Sequence, residues 1–260
     1  MISLTSAQLD AWIAAFFFPL ARILGLIASA PLFSSTGVPR RVRLMLGLAI
    51  ALALVPMLPP VPAVSPGSGQ GLWILVQQML IGIGMGFAMR IVFAAVEVAG
   101  EFMGLQMGLG FATFYDPLSS AQTPVVTEFI NLLALLVFLA LNGPLLYVAT
   151  LAQSFVAIPI GGPPLAAESW KNLAELGSVM FATGLLLALP VLVTLMITNL
   201  ALGVLTRAAP QLNIFAVGFP LTLMVGLAAM ALGLNYLAAP LQALFEEGLT
   251  AMLGYARLAR

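Results

Sequence analysis

The sequence predicts an all-α membrane protein: about six long, Pro/Gly-kinked hydrophobic helices, with a re-entrant or luminal loop around residues 105–122. Three observations carry this. The chain is 62% hydrophobic and only 7% charged, with a mean hydropathy of +1.13. Nine basic and nine acidic side chains cannot coat a soluble globule of 260 residues. Long apolar runs then alternate with short breaks rich in Pro, Gly and Ser. Finally, residues 100–124 are apolar enough for membrane depth but poorly suited to continuous helix. Such a segment is tolerable only when buried in protein or lining a watery cavity.

The first run, 11–33, contains Pro19 and Arg22. Ala28-Ser29-Ala30 has the shape of a signal-peptidase site, but Pro31 follows it, no basic region precedes it, and Arg22 interrupts the apolar stretch. The segment is therefore expected to be retained. Arg40, Arg41 and Arg43 form the basic cluster after the first break, which places that loop on the cytoplasmic side by the positive-inside rule. The second run, 44–58, has only 15 residues, short for a crossing. Pro56, Pro59, Pro60, Pro62 and Pro66 end it in an irregular loop.

The third run starts near Leu72 and carries Arg90, Glu97 and Glu101 along one helical stripe. Charges in an apolar helix should face a bundle interior or water rather than lipid. With Arg22 and Glu128 they make up the expected buried charges. Two readings stay open for the stripe: structural pairing of Arg90 with a carboxylate, or a proton or cation relay through Glu97 and Glu101. Gly82, Gly84 and Gly86 are expected to pack against another helix. Gly100, Gly104 and Gly108 recur every four residues as a second smooth face. Beyond Gly110 the character changes. Phe111, Phe114 and Tyr115 crowd together, and Asp116-Pro117 forces an extended or turn conformation.

The fourth run, 125–159, breaks at Asn142-Gly143-Pro144, a kink or hairpin. Glu168, Lys171 and Glu175 mark a solvated helix start before the fifth run, 176–205, which Pro190 kinks. Thr206 to Asn213 form a compact polar break. The sixth run, 214–239, has no charge, and an amphipathic piece, 241–260, closes the chain with its carboxylates early and its arginines late. One membrane-embedded domain covering 1–260 is expected.

Several function classes lose support. The chain has no Cys and no His, so thiolate nucleophiles, histidine bases and the usual zinc, haem and iron–sulfur ligation have no residues to use. No enzymatic activity and no cofactor are expected. Net charge is zero and Lys171 is the only lysine, so no basic field exists to attract nucleic acid.

Three blocks bring a family into view. The first is Ala30-Pro31-Leu32-Phe33 with Val38-Pro39-Arg40-Arg41-Val42-Arg43. The second runs from Ala99-Gly100-Glu101 through Gln106-Met107-Gly108-Leu109-Gly110-Phe111-Ala112 to Asp116-Pro117. The third is Gly203-Val204-Leu205 with Arg207-Ala208-Ala209-Pro210-Gln211-Leu212-Asn213, continuing to Phe219-Pro220. In their order and near full-length coverage they resemble the FliR family of flagellar type III export-gate proteins, which has virulence-secretion homologues.

The resemblance implies a bacterial inner-membrane subunit of the flagellar basal body. It would assemble with FliP-type and FliQ-type proteins into a pore for unfolded flagellar proteins, and contact an FlhB-type protein. It also implies a loop that plugs the closed pore, which maps onto Gln106, Met107, Phe111, Phe114, Tyr115 and Asp116. Gly100, Gly104, Gly108, Arg207, Pro210, Gln211 and Asn213 become packing or partner contacts. Pro144 and Thr222 depart from the family pattern, standing where a histidine and a lysine are usual. Two other functions compete: an ion- or proton-coupled secondary transporter using Arg90, Glu97 and Glu101, and a passive scaffold without lumen contact.

Overall fold

The computed structural model describes residues 6–34, 37–110, 124–209, 211 and 214–257. Among them every element is helical. The order is α1 (Ser6–Ser29), α2 (Pro31–Ser34), α3 (Arg40–Leu54), a 3-10 turn (Val55–Met57), α4 (Gly69–Gln106), α5 (Val125–Ala140), α6 (Gly143–Ala157), α7 (Ala167–Ala208) and α8 (Ile214–Arg257).

Each apolar run became helix, as expected of an all-α membrane protein. Helices α1, α4, α7 and α8 are long and apolar enough to cross a membrane, and the α5–α6 pair supplies a fifth span if taken together. α3 has 15 residues. The closing amphipathic piece does not stand apart from the sixth run; it continues it through Pro240. α4, α7 and α8, at 38, 42 and 44 residues, are each about 55–65 Å long at ~1.5 Å per residue. That is about twice the ~30 Å hydrocarbon core.

The chain divides into two compact units. Unit 1 comprises Met1–Val92, Asn142–Gly177 and Phe245–Arg260, and unit 2 comprises Phe93–Leu141 and Ser178–Leu244. In unit 1, α1 and α4 run in the same direction and meet through glycines. A Cβ on Gly25 would lie 2.5 Å from the Met79 carbonyl oxygen, and one on Gly86 would lie 2.8 Å from the Leu26 oxygen. A Cβ on Gly82 would run into the Arg22 carbonyl. Gly82 and Gly86 thus form a small-xxx-small face that lets two backbones touch.

Ser68 caps α4: its Oγ accepts from the Gly71 N–H at 3.0 Å and donates to the Ser65 carbonyl at 2.7 Å. Below the α6 end, the Gly162–Pro163 turn is tied to α4 by Gln77, whose Nε2 donates to the Pro163 carbonyl at 2.9 Å. Before α6, Asn142 takes a left-handed conformation, φ 55, which a short polar side chain tolerates. Pro144 follows in the first turn, where its missing N–H costs nothing.

In unit 2, α4 and α5 form an antiparallel pair. Gly104 faces Val126, Gly100 faces Thr127, and Phe93 packs edge-on against Phe138 with ring centroids 5.8 Å apart. α7 approaches the same stretch of α4, where a Cβ on Gly184 would lie 2.7 Å from the Ala95 carbonyl oxygen. Pro190 does not end α7. Thr194 donates to the Pro190 carbonyl at 2.8 Å and Thr198 to the Thr194 carbonyl at 2.9 Å, so both hydroxyls are spent on their own helix.

Candidate functional site at the end of the long central helix

The stretch singled out by sequence begins where α4 stops. The Gly108 N–H donates to the Leu105 carbonyl and the Leu109 N–H to the Gly104 carbonyl, both at 3.0 Å. These paired bonds make a Schellman motif, with Gly108 at φ 85, where a Cβ is strained. Gly108 therefore lies past the helix and does not extend the packing stripe of Gly100 and Gly104. Its smallness serves the stop signal. Gly100 is a true close-approach position, since a Cβ there would lie 2.5 Å from the Thr127 Cα. Gly104 leaves more room, 3.8 Å to the Val126 Cβ.

Met107 differs from expectation. Sequence placed it in a lumen, yet its side chain is fully buried. It fills a notch on α8: a Cβ on Gly226 would lie 2.7 Å from its Cγ and 2.6 Å from its Cε. The Thr222 Oγ donates to the Met107 carbonyl at 3.3 Å, so residues one turn apart on α8 hold both its side chain and its backbone. Gln106 is half-buried. Phe111, Phe114, Tyr115 and Asp116 lie outside the described residues, as do Pro210 and Asn213. Arg207 is exposed in the last turn of α7, and Gln211 is exposed beyond it.

The five charges expected to be buried separate into two groups. Arg22 is fully buried, and all five of its N–H donors have partners. Nε donates to Gln78 Oε1 at 2.8 Å, and Nη2 donates to the same oxygen. Nη1 donates to the Ser154 carbonyl at 2.9 Å and the Ser154 hydroxyl at 3.1 Å, and Nη2 to the Ile158 carbonyl at 2.9 Å. The guanidinium also stacks 4.2 Å from the Phe155 ring centroid. No carboxylate takes part. Carbonyls at the C-terminal end of α6, negative by the helix dipole, provide the complement: the Ser154 oxygen, which also accepts the Ile158 N–H at 2.8 Å, and the Ile158 oxygen just past the helix.

Arg90, Glu97, Glu101 and Glu128 are instead exposed at the surface of the chain. Their expected burial does not occur within it, because the small residues beside them, not the charges, face the neighbouring helices. Among the described residues Arg90 forms no ion pair, so the pairing reading has no support inside the chain. Glu97 and Glu101 lie about 60° and 100° around α4 from Gly100, and Glu128 lies about 100° around α5 from Thr127. In an antiparallel pair, equal rotations of the same sense point to one face, so the three carboxylates share a side of the α4–α5 pair. Thr127 Oγ1 and Asn131 Oδ1, on the same α5 stretch, have no hydrogen-bond partner.

The Arg22 partners and the Gly226 notch were not read from sequence. Gln77-Gln78 within an apolar run was the available signal for the first, since a buried guanidinium needs acceptors. For the second, Thr222 and Gly226 at one-turn spacing gave only a generic small-residue face.

The fold and these seams define an integral membrane protein built from long helices that pack through glycine and small polar residues. Residues 13–248 match the family model for bacterial export proteins, family 1, and the chain belongs to that family. It is 47% identical over 247 residues to the flagellar biosynthetic protein FliR of Escherichia coli K12, covering 95% of this chain and 94% of that one. FliR of Pectobacterium carotovorum is 43% identical over 251 residues with the same coverage. FliR of Bacillus subtilis is 30% identical over 214 residues, 81% of this chain and 82% of its own.

Proposed function

We propose that this chain is a subunit of the flagellar type III protein export gate in the bacterial inner membrane. It assembles with FliP-type and FliQ-type proteins, contacts an FlhB-type protein, and lines a pore through which unfolded flagellar proteins leave. The segment around 106–118 plugs the closed pore. Family membership supplies the export role, and one structural observation carries the reading of an assembled subunit. The α4–α5 pair presents three exposed carboxylates amid apolar helices. Hydrocarbon cannot solvate such a face, so neighbouring protein or a watery lumen must cover it.

Apolar constrictions gate by dewetting, and an apolar, aromatic-rich segment suits a seal that must part for varied polypeptides. Residues 111–116 supply the aromatic half of that seal. A secondary transporter acting alone needs an enclosed midplane site. Arg90, Glu97 and Glu101 lie on the outside of the chain, which removes the enclosure that reading requires.

The test is deletion of residues 110–118 in a gate assembled with its partners. Small-ion conductance of the closed gate should rise at least tenfold. An intact assembly with unchanged conductance would contradict the plug.

A further inference from the structure

Two turns of α8 grip the last residue before the left-handed stop of α4. Met107 is fully enclosed, its carbonyl accepts the Thr222 hydroxyl at 3.3 Å, and its side chain occupies the space that any Cβ on Gly226 would claim. Thr222 also donates to the Phe219 carbonyl at 3.0 Å, so this hydroxyl is shared between its own helix and the α4 end. On the other side, the Met107 N–H stays in helix register, donating to the Met103 carbonyl at 3.0 Å. The strained position comes one residue later, at Gly108. Side chain, carbonyl and N–H of Met107 are thus all committed before the chain turns out of α4.

We propose that Met107, Thr222 and Gly226 are positioning residues that fix the stem of the gating segment to α8, and that this seat stays closed while the gate conducts. The proposal rests on the plug reading above and adds to it. The plug is held at a fixed origin, and opening does not draw the end of α4 away from α8. Close packing favours this: a seat with no spare volume is either occupied or lost, since partial withdrawal of Met107 would leave an apolar cavity beside a glycine.

The chain has no cysteine, so a cysteine pair is free of background. In Met107→Cys/Gly226→Cys, a sulfur at the position of Met107 Cγ would lie 2.7 Å from the Cβ of residue 226. That is close to the roughly 3 Å between a Cβ and the far sulfur of a disulfide. In the gate assembled with its partners, oxidation should close the bond, seen as loss of maleimide labelling that a reductant restores. Export of flagellar substrate should stay within about twofold of the unlocked gate. Export that stops on oxidation and returns on reduction would overturn the proposal, as would two cysteines that remain labelled under oxidant.

Gly226→Val tests the seat from the other side. In the assembled gate it should raise closed-state ion conductance at least tenfold, and Met107→Ala in the same chain should reverse most of that rise. If Gly226→Val assembles and stays tight while the 110–118 deletion leaks, the anchor fails and the plug stands. If the deletion itself stays tight, the plug reading fails. Should Gly226→Val not assemble, the cysteine pair alone decides.

Discussion

Two regions of this chain handle charge in apolar surroundings in opposite ways. Around Arg22, unit 1 has enclosed a full guanidinium and satisfied every donor with an amide oxygen, a hydroxyl and two carbonyls near the end of α6. Along the α4–α5 pair, unit 2 leaves Glu97, Glu101 and Glu128 on one open face. The first region is complete within one polypeptide. The second is left open by the chain itself. That difference separates residues that make the chain fold from residues that make it a component.

The contrast breaks most visibly at Arg22. Arg22→Leu strands the Ile158 carbonyl and the Gln78 oxygen in a sealed site, while Ser154 keeps its bonds to the Ile158 N–H and the Leu151 carbonyl, and should cost on the order of 3–5 kcal/mol. Arg22→Lys should recover only part of this, because an ammonium cannot reproduce the planar fork. Thermal unfolding of the purified chain in detergent measures both. A loss under about 0.5 kcal/mol for Arg22→Leu would mean that the cluster is not a clamp.

A smaller effect is expected within the glycine stripe. Gly100→Ala drives a methyl into the α5 backbone at Thr127 and should destabilise by about 1–3 kcal/mol. Gly104→Ala meets only ordinary van der Waals contact and should be near neutral or slightly stabilising. Equal melting temperatures for the two variants would show that the α4–α5 approach is looser than its geometry indicates.

The acidic face should show no folding effect. Combining Glu97→Gln, Glu101→Gln and Glu128→Gln leaves the melting temperature of the isolated chain unchanged, since exposed side chains away from special features carry little stability. Recovery of partner subunits with the tagged chain should fall several-fold. A variant that unfolds by itself, or that retains its partners in full, would erase the distinction between the two regions.

Much of the fold was legible because bilayer-class composition leaves few options: apolar runs must be helices, and Pro/Gly/Ser clusters must be breaks. The break at Asn142 follows from local chemistry that a sequence displays, whereas the Ser68 cap of α4 and its stop before Gly108 were missed, because Gly108 fitted the four-residue glycine spacing of a helix face. Pro190, Pro220 and Pro240 all lie inside continuous helices, because each costs one hydrogen bond and a long packed helix can absorb that. The closing amphipathic piece therefore runs on from the sixth run as a single helix.

The site was less legible. Helical spacing put Arg90, Glu97 and Glu101 on one stripe, but whether a stripe faces inward depends on which neighbouring face is smoother, and here glycines won the interior. Met107 has the same composition signal as its neighbours. Only the notch at Gly226, more than a hundred residues away in sequence, decides that it is held rather than free.

The most direct measurement is the composition of the tagged chain extracted gently from its own membranes and weighed intact. The account predicts a multi-subunit particle containing FliP-type and FliQ-type proteins, which leaks ions once residues 110–118 are removed. A lone, monodisperse monomer from cells that still export flagellar protein would contradict it.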